Sequence, residues 1–155
     1  MPIVYYTFMR LSIYTGARRG ELLALKWSDI DLINKTLRIN KAYSRGKEKK
    51  YEISSPKTKA SIRAISIDDE TIAILKEWKI YQKDKYKILN IDNLIFTSVN
   101  GTHLNVDKPR KWMMKIIKNN SLRKIRLHDL RHTHASLCFE AGLDIKEVQH
   151  RLGYR

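Results

Sequence analysis

The sequence has little sulfur, few acids and no long apolar run. Cys138 is its single cysteine, so no internal disulfide can form, and a reducing compartment is the natural setting. Cys138 lies among Ala135, Leu137 and Phe139, where a small apolar side chain is wanted more than a nucleophile. No apolar stretch is long enough for a bilayer and none has the layout of a signal peptide, which argues for a soluble, cytoplasmic protein. The acidic residues form no cluster, so a two-metal nuclease centre is not expected. There is no internal repeat, low-complexity tract or linker.

Bases are in excess. Lys plus Arg total 31 against 16 Asp plus Glu, a formal net charge of +15 over 155 residues. Such an excess favours a polyanionic partner. The cations are spread along the chain and not gathered on one amphipathic segment, which points to nucleic acid rather than a membrane surface. A length of 155 residues with 43% hydrophobic content suits one globular domain with a single core.

Periodicity predicts a helix from Met1 to about Tyr14, with Val4, Phe8 and Leu11 on one face, interrupted at Gly16. A short helix follows over Glu21–Leu25, then the turn-like Ser28-Asp29. Thr36–Asn40, Tyr51–Ile53 and Ser61–Ile67 read as strands and predict one three-stranded antiparallel sheet. A polar, basic connection runs from Ser44 to Lys50, and Pro56 marks a turn before the third strand. Asp68-Asp69 offers a cap to a helix reaching about Tyr86. Leu94–Phe96 is extended and ends at the Asn100-Gly101 turn. Further helices are expected over Val106–Lys118 and His128–Ala141, the latter stopping at Gly142, and from Asp144 to Leu152, ended by Gly153. The fold class is α+β, mainly α-helical with a small three-stranded antiparallel sheet.

The candidate chemistry lies in two separated segments. Arg18 follows Gly16, where a tight turn presents a side chain from a helix start, and Glu21 three residues on is placed to buttress the guanidinium. His128 and Arg131 are three apart and neighbour each other on one helix. Arginine grips two oxygens at once and keeps its charge at any working pH. Imidazole gives or takes a proton near neutrality. Two arginines and a histidine brought together suit a phosphate. A helix wheel puts Leu130, Leu137, Cys138 and Ala141 on a core face. It places His134 among them, as a hydrogen-bonded core histidine. His128 and His132, four apart, lack a third ligand and an intervening Glu, so no metal is expected. Lys57 or Lys59, in the turn, could deliver a proton to a leaving oxygen.

Taken together these segments resemble the catalytic domain of tyrosine recombinases, the phage integrase family, along nearly the whole chain. Thr15-Gly16-Ala17-Arg18-Arg19-Gly20-Glu21-Leu22 resembles the family's first-arginine motif. Trp27-Ser28-Asp29-Ile30-Asp31 resembles the segment that follows it. Pro56-Lys57-Thr58-Lys59 leading into Arg63-Ala64-Ile65 resembles the hairpin lysine motif. Leu127-His128-Asp129-Leu130-Arg131-His132-Thr133 resembles the H-x-x-R box. Ile145–Gln149 to Leu152-Gly153 resembles the stretch before the nucleophile.

The resemblance implies catalytic roles for Arg18, Lys57, His128 and Arg131, with Glu21 and Tyr154 in support. Tyr154 stands where the family usually has His or Trp, and a phenol donates a hydrogen bond as those side chains do. It further implies a bacterial or phage-encoded enzyme that cuts and rejoins double-stranded DNA through a 3′-phosphotyrosyl bond, without metal or cofactor. The parent protein would act as a tetramer on DNA. By the same resemblance, residues 1–155 are a single catalytic domain in fragment form. They lack the preceding DNA-binding domain and the attacking tyrosine, and would be monomeric and inactive alone. A non-catalytic DNA-binding module, such as a degenerate integrase remnant, is the alternative, and a type IB topoisomerase would share the chemistry without site selection.

Overall fold

In the computed structural model, residues 1–45, 51–55, 58–86 and 93–154 are described. Helix α1 (Ile3–Thr15) lies against α3 (Asp69–Lys85), α4 (Lys108–Asn119) and α5 (Asp129–Glu140). Such a position demands a helix buried on several sides. Phe8 and Leu11 are fully buried, and Phe8 meets Phe96 and Trp112 edge-to-face at 5.0 and 5.9 Å. The buried hydroxyls of Thr7, Ser12 and Thr15 donate back to the carbonyls of Ile3, Phe8 and Leu11. These bonds leave the polar groups satisfied inside an apolar setting.

The chain leaves α1 at Gly16, which is left-handed (φ 69°) and donates its N–H to Ser12 O. A Cβ there would sit 2.5 Å from His134 Cδ2 and 2.7 Å from Leu152 Cδ2. Gly16→Ala therefore combines backbone strain with overpacking, and a loss of about 2 kcal/mol is expected in urea unfolding.

The short helix α2 (Arg19–Leu23) leads through a 3-10 turn at Trp27–Asp29 into β1 (Ile30–Asp31). The carboxylate of Asp31 accepts from the N–H groups of Ile33 and Asn34, closing a tight turn into β2 (Thr36–Ile39). With β5 (Arg63–Ser66) these strands make a three-stranded antiparallel sheet in the order β1-β2-β5. Its membership differs from the sequence expectation. The strand expected over Tyr51–Ile53 in this sheet is part of β4 (Tyr51–Ser54) and pairs instead with β3 (Ala42–Arg45) in a separate hairpin. The Asp31 turn brings in Ile30–Asp31 as the third strand. Leu37 and Ile39 on β2 and Arg63 and Ile65 on β5 face inward, so strand alternation puts Arg63 on the core side, opposite Ile39. The expected basic connection falls partly on residues 46–50, which lie outside the described residues.

Asp68 caps α3 by accepting from Thr71 N, as its position predicts. Two α3 side chains then hold the segment at 94–97 without a sheet. Trp78 Nε1 donates to Ile95 O at 2.8 Å, and the Gln82 amide donates to Leu94 O, Ile95 O and Thr97 Oγ1. The last helix, α6 (Ile145–Leu152), has a reciprocal cap between Asp144 and Glu147 and ends at left-handed Gly153 (φ 79°). No described helix is long and apolar enough to cross a membrane.

Candidate active site

Three termini converge: the end of α1, the start of α5 and the end of α6. Arg18 precedes α2, and its backbone N–H donates to Glu21 Oε1 at 2.8 Å. Its side chain is 41% exposed, with Nη1 3.9 Å from the same carboxylate oxygen. His128 stands at the start of α5. There Asp129 accepts from Arg126 N at 2.8 Å, a bond that keeps its carboxyl below the usual range. Arg131 lies one turn inside α5, on the buried side.

The placement of Arg131 departs from the helix wheel. Leu130, Arg131, His134 and Cys138 are buried, whereas Leu137 and Ala141 are exposed. The buried face is rotated toward Arg131 because that side chain has acceptors waiting. Nη1 donates to Gly16 O and Nη2 to Leu152 O, both at 2.6 Å. These carbonyls close the ends of α1 and α6, and neither is signalled by its own residue type.

Arg18, Arg19, Gly20, Leu127, His128 and Arg131 line a cavity of about 390 Å³. Thus Arg18 shares one concavity with His128 and Arg131, which lie far from it in sequence. At its edge, the Tyr154 ring centroid is 5.1 Å from Arg131 Cζ and 5.6 Å from Arg18 Cζ. A hydrogen bond from Arg131, reinforced by the charges of both guanidinium groups, pulls the phenol pKa below its ordinary value. An oxygen placed between these arginines is therefore stabilised as an anion, which is the property a phosphate oxygen requires. Burial, then repulsion by His132, Arg131 and Arg126, lowers the His128 pKa and so favours its neutral imidazole. Lys57 lies outside the described residues.

Glu21 is buried, but Arg18 is not its main partner. Arg63 Nη1 and Nη2 donate to the two carboxylate oxygens at 2.8 and 3.1 Å. Sequence reasoning missed this pair. Strand alternation around Ile65 was the available signal, since it turns an arginine inward, where its charge calls for a buried partner.

His134 is buried as expected. Its Nδ1 faces Ile13 O at 2.8 Å, which fixes the proton there and leaves Nε2 to accept from Arg151 Nε at 3.2 Å. Burial, then the charge of Arg151, pushes its pKa down to about 4 from 6.5. The unfolded chain therefore binds this proton more readily than the folded one. The stability it contributes is full above pH 6.5 and is lost as pH falls toward about 4. Denaturant midpoints across this window should fall in the native chain and fall less in His134→Gln.

This mainly helical domain, with its small antiparallel sheets, has the fold of tyrosine recombinase catalytic domains. The chain belongs to the phage integrase family, whose profile matches residues 1–155. The ICEBs1 integrase of Bacillus subtilis (strain 168) is 33% identical over 156 residues, covering 98% of this chain and 42% of that relative. The chain thus spans about two-fifths of the length of this curated relative. The Tn1549 transposon integrase in complex with transposon right end DNA superimposes with a TM-score of 0.79 at 25% identity, covering 97% of this chain and 51% of that one. The XerH site-specific recombinase in its post-cleavage complex with a palindromic difH substrate gives 0.71 at 29% identity, covering 99% and 39%.

Proposed function

We propose that the protein containing this chain is a site-specific recombinase. It cuts and rejoins double-stranded DNA through a 3′-phosphotyrosyl intermediate, to integrate or excise a mobile element. The observation that carries this reading is the shared cavity of Arg18, His128 and Arg131, with the Tyr154 ring against both guanidinium groups. The scissile phosphate takes that place. Arg18 and Arg131 bind its non-bridging oxygens and stabilise the charge of the pentacoordinate state. His128, at the cavity wall, assists proton transfer. Tyr154 donates a hydrogen bond to the same phosphate. Lys57 protonates the leaving 5′-oxygen. Glu21 holds the Arg18 backbone in register. The tyrosyl ester conserves the phosphodiester's reactivity, so rejoining needs no external energy source. The related Tn1549 and XerH proteins were captured on DNA, which supports DNA as the partner.

The attacking tyrosine is a residue beyond Arg155. The full-length protein of this reading frame, given nicked duplex carrying its site, forms a covalent protein–DNA adduct. The 155-residue chain forms none. DNA binding by the full-length protein without any adduct would overturn the enzymatic reading and favour a non-catalytic DNA-binding module, a reading that Tyr154 in place of His or Trp supports. The full-length protein assembles as a tetramer on DNA, whereas this chain sediments as a monomer. Binding to duplex by the 155 residues should weaken steeply with salt, since it rests on phosphate contacts by a chain of net charge +15.

A further inference from the structure

Arg63 has a fully buried side chain, away from the anion cavity, yet it is bonded to the α2 turn that carries Arg18 and to the end of α6 that holds Arg131. Besides its two bonds to Glu21, Nη1 donates to Ser61 O and Nε to Arg151 O, each at 2.8 Å. Glu21 and Arg151 are each one step from the site. Glu21 Oε1 receives the Arg18 N–H. Arg151 precedes Leu152, whose carbonyl holds Arg131. Ser61 ends the 3-10 turn that follows the segment containing Lys57. Gly153 rests directly on the guanidinium, because a Cβ there would lie 2.7 Å from Arg63 Nη1 and 2.9 Å from its Cζ. Tyr154 comes next in the chain.

We propose that Arg63 is a positioning residue for the reaction: from inside the fold it sets where Arg18 and Tyr154 stand relative to Arg131. The inference rests on the reading that the cavity holds the scissile phosphate. The planar guanidinium serves three directions at once, toward the α2 turn, the β5 approach and the end of α6. A lysine ammonium at the same site keeps the charge opposite Glu21 but lacks the fork that spans both Glu21 oxygens and Arg151 O. A residue that merely stabilised the fold would tolerate that exchange in every folded molecule.

The test compares Arg63→Lys with the native protein by two readouts. In the full-length protein, single-turnover cleavage of nicked duplex should slow on the order of 10²-fold while DNA affinity holds, as misplacement of reacting groups predicts. In the 155-residue chain, the Tyr154 phenol is followed by NMR of ring-labelled tyrosine, assigned with Tyr154→Phe. Its pKa should climb back toward the ordinary value in Arg63→Lys, because the two arginines no longer converge on it. Full cleavage rate with an unchanged Tyr154 titration would reduce Arg63 to a structural ion pair and overturn the proposal. If the native full-length protein shows no cleavage, the recombinase reading fails, and the Tyr154 titration alone decides whether Arg63 positions the cavity. If Arg63→Lys does not fold, the uncharged pair Glu21→Gln with Arg63→Gln is carried through the same two measurements, with the same outcomes deciding.

Discussion

Arg131→Ala is expected to abolish strand cleavage and, unusually for a site residue, to destabilise the chain by about 3 kcal/mol, since two buried carbonyls lose their donors. The residue is 4% exposed, and its two bonds at 2.6 Å join the end of α1 to the end of α6. Without them the carbonyls of Gly16 and Leu152 are buried and unpaired, and a cavity the size of the side chain opens. For a chain of this size such a loss lowers the melting temperature by roughly 10 °C. Loss of the charge-stabilising contact should reduce adduct formation by about 10³-fold or more in the molecules that remain folded. Arg18→Ala makes the control. Its guanidinium is 41% exposed and bears no buried bond of comparable length. It should suppress cleavage to a similar degree with a melting temperature close to native. A thermal scan beside an adduct assay on the full-length protein separates the two. Equal melting temperatures for both variants would show that Arg131 does not hold the helix ends.

Glu21→Ala should be the most destabilising exchange of an acidic residue in the chain, at about 4 kcal/mol. The carboxylate is 3% exposed and faces an arginine that is fully buried. Removing it strands the Arg63 cation in the interior, together with the N–H of Arg18. Much of the loss is the penalty of an unpaired buried charge rather than the worth of the pair. Replacing both residues, Glu21→Leu with Arg63→Met, should therefore recover a good part of it. Urea midpoints of the two single variants and the double variant close the cycle. Additive losses would mean that the two side chains do not interact in solution.

The helices were largely legible because their punctuation is local. Asp68 and Asp144 each cap the helix whose start their position predicts, and Gly16 and Gly153 end helices in the left-handed conformation. Helix edges differ from the expectation by a residue or two, as they do where the last turn frays. The sheet was legible in type but not in membership. A strand's partner is chosen by the turn that delivers it, and the turn at Asp31–Asn34 was read only as part of a motif. Hence a strand over Tyr51–Ile53 was expected in one sheet with Thr36–Asn40 and Ser61–Ile67, whereas Ile30–Asp31 is the strand that joins them.

The candidate site was legible through its side chains, since Arg18, His128 and Arg131 do line one cavity. Its supports were not. The acceptors of Arg131 are backbone carbonyls of Gly16 and Leu152, and any residue supplies a carbonyl. The guanidinium partner of Glu21 was assigned to the neighbour in sequence, Arg18, whereas the guanidinium that bonds it is Arg63, 42 residues away. A short-range rule favours i, i+3 pairs, and burial overrode it here.

Arg131 is fastened by amide oxygens and not by an aspartate or glutamate. Peptide dipoles orient a guanidinium without cancelling its charge, and they have no proton to gain in acid. Arg131 thus keeps its charge uncancelled by the groups that hold it, and an anion reaching it displaces no carboxylate from its hydrogen bonds.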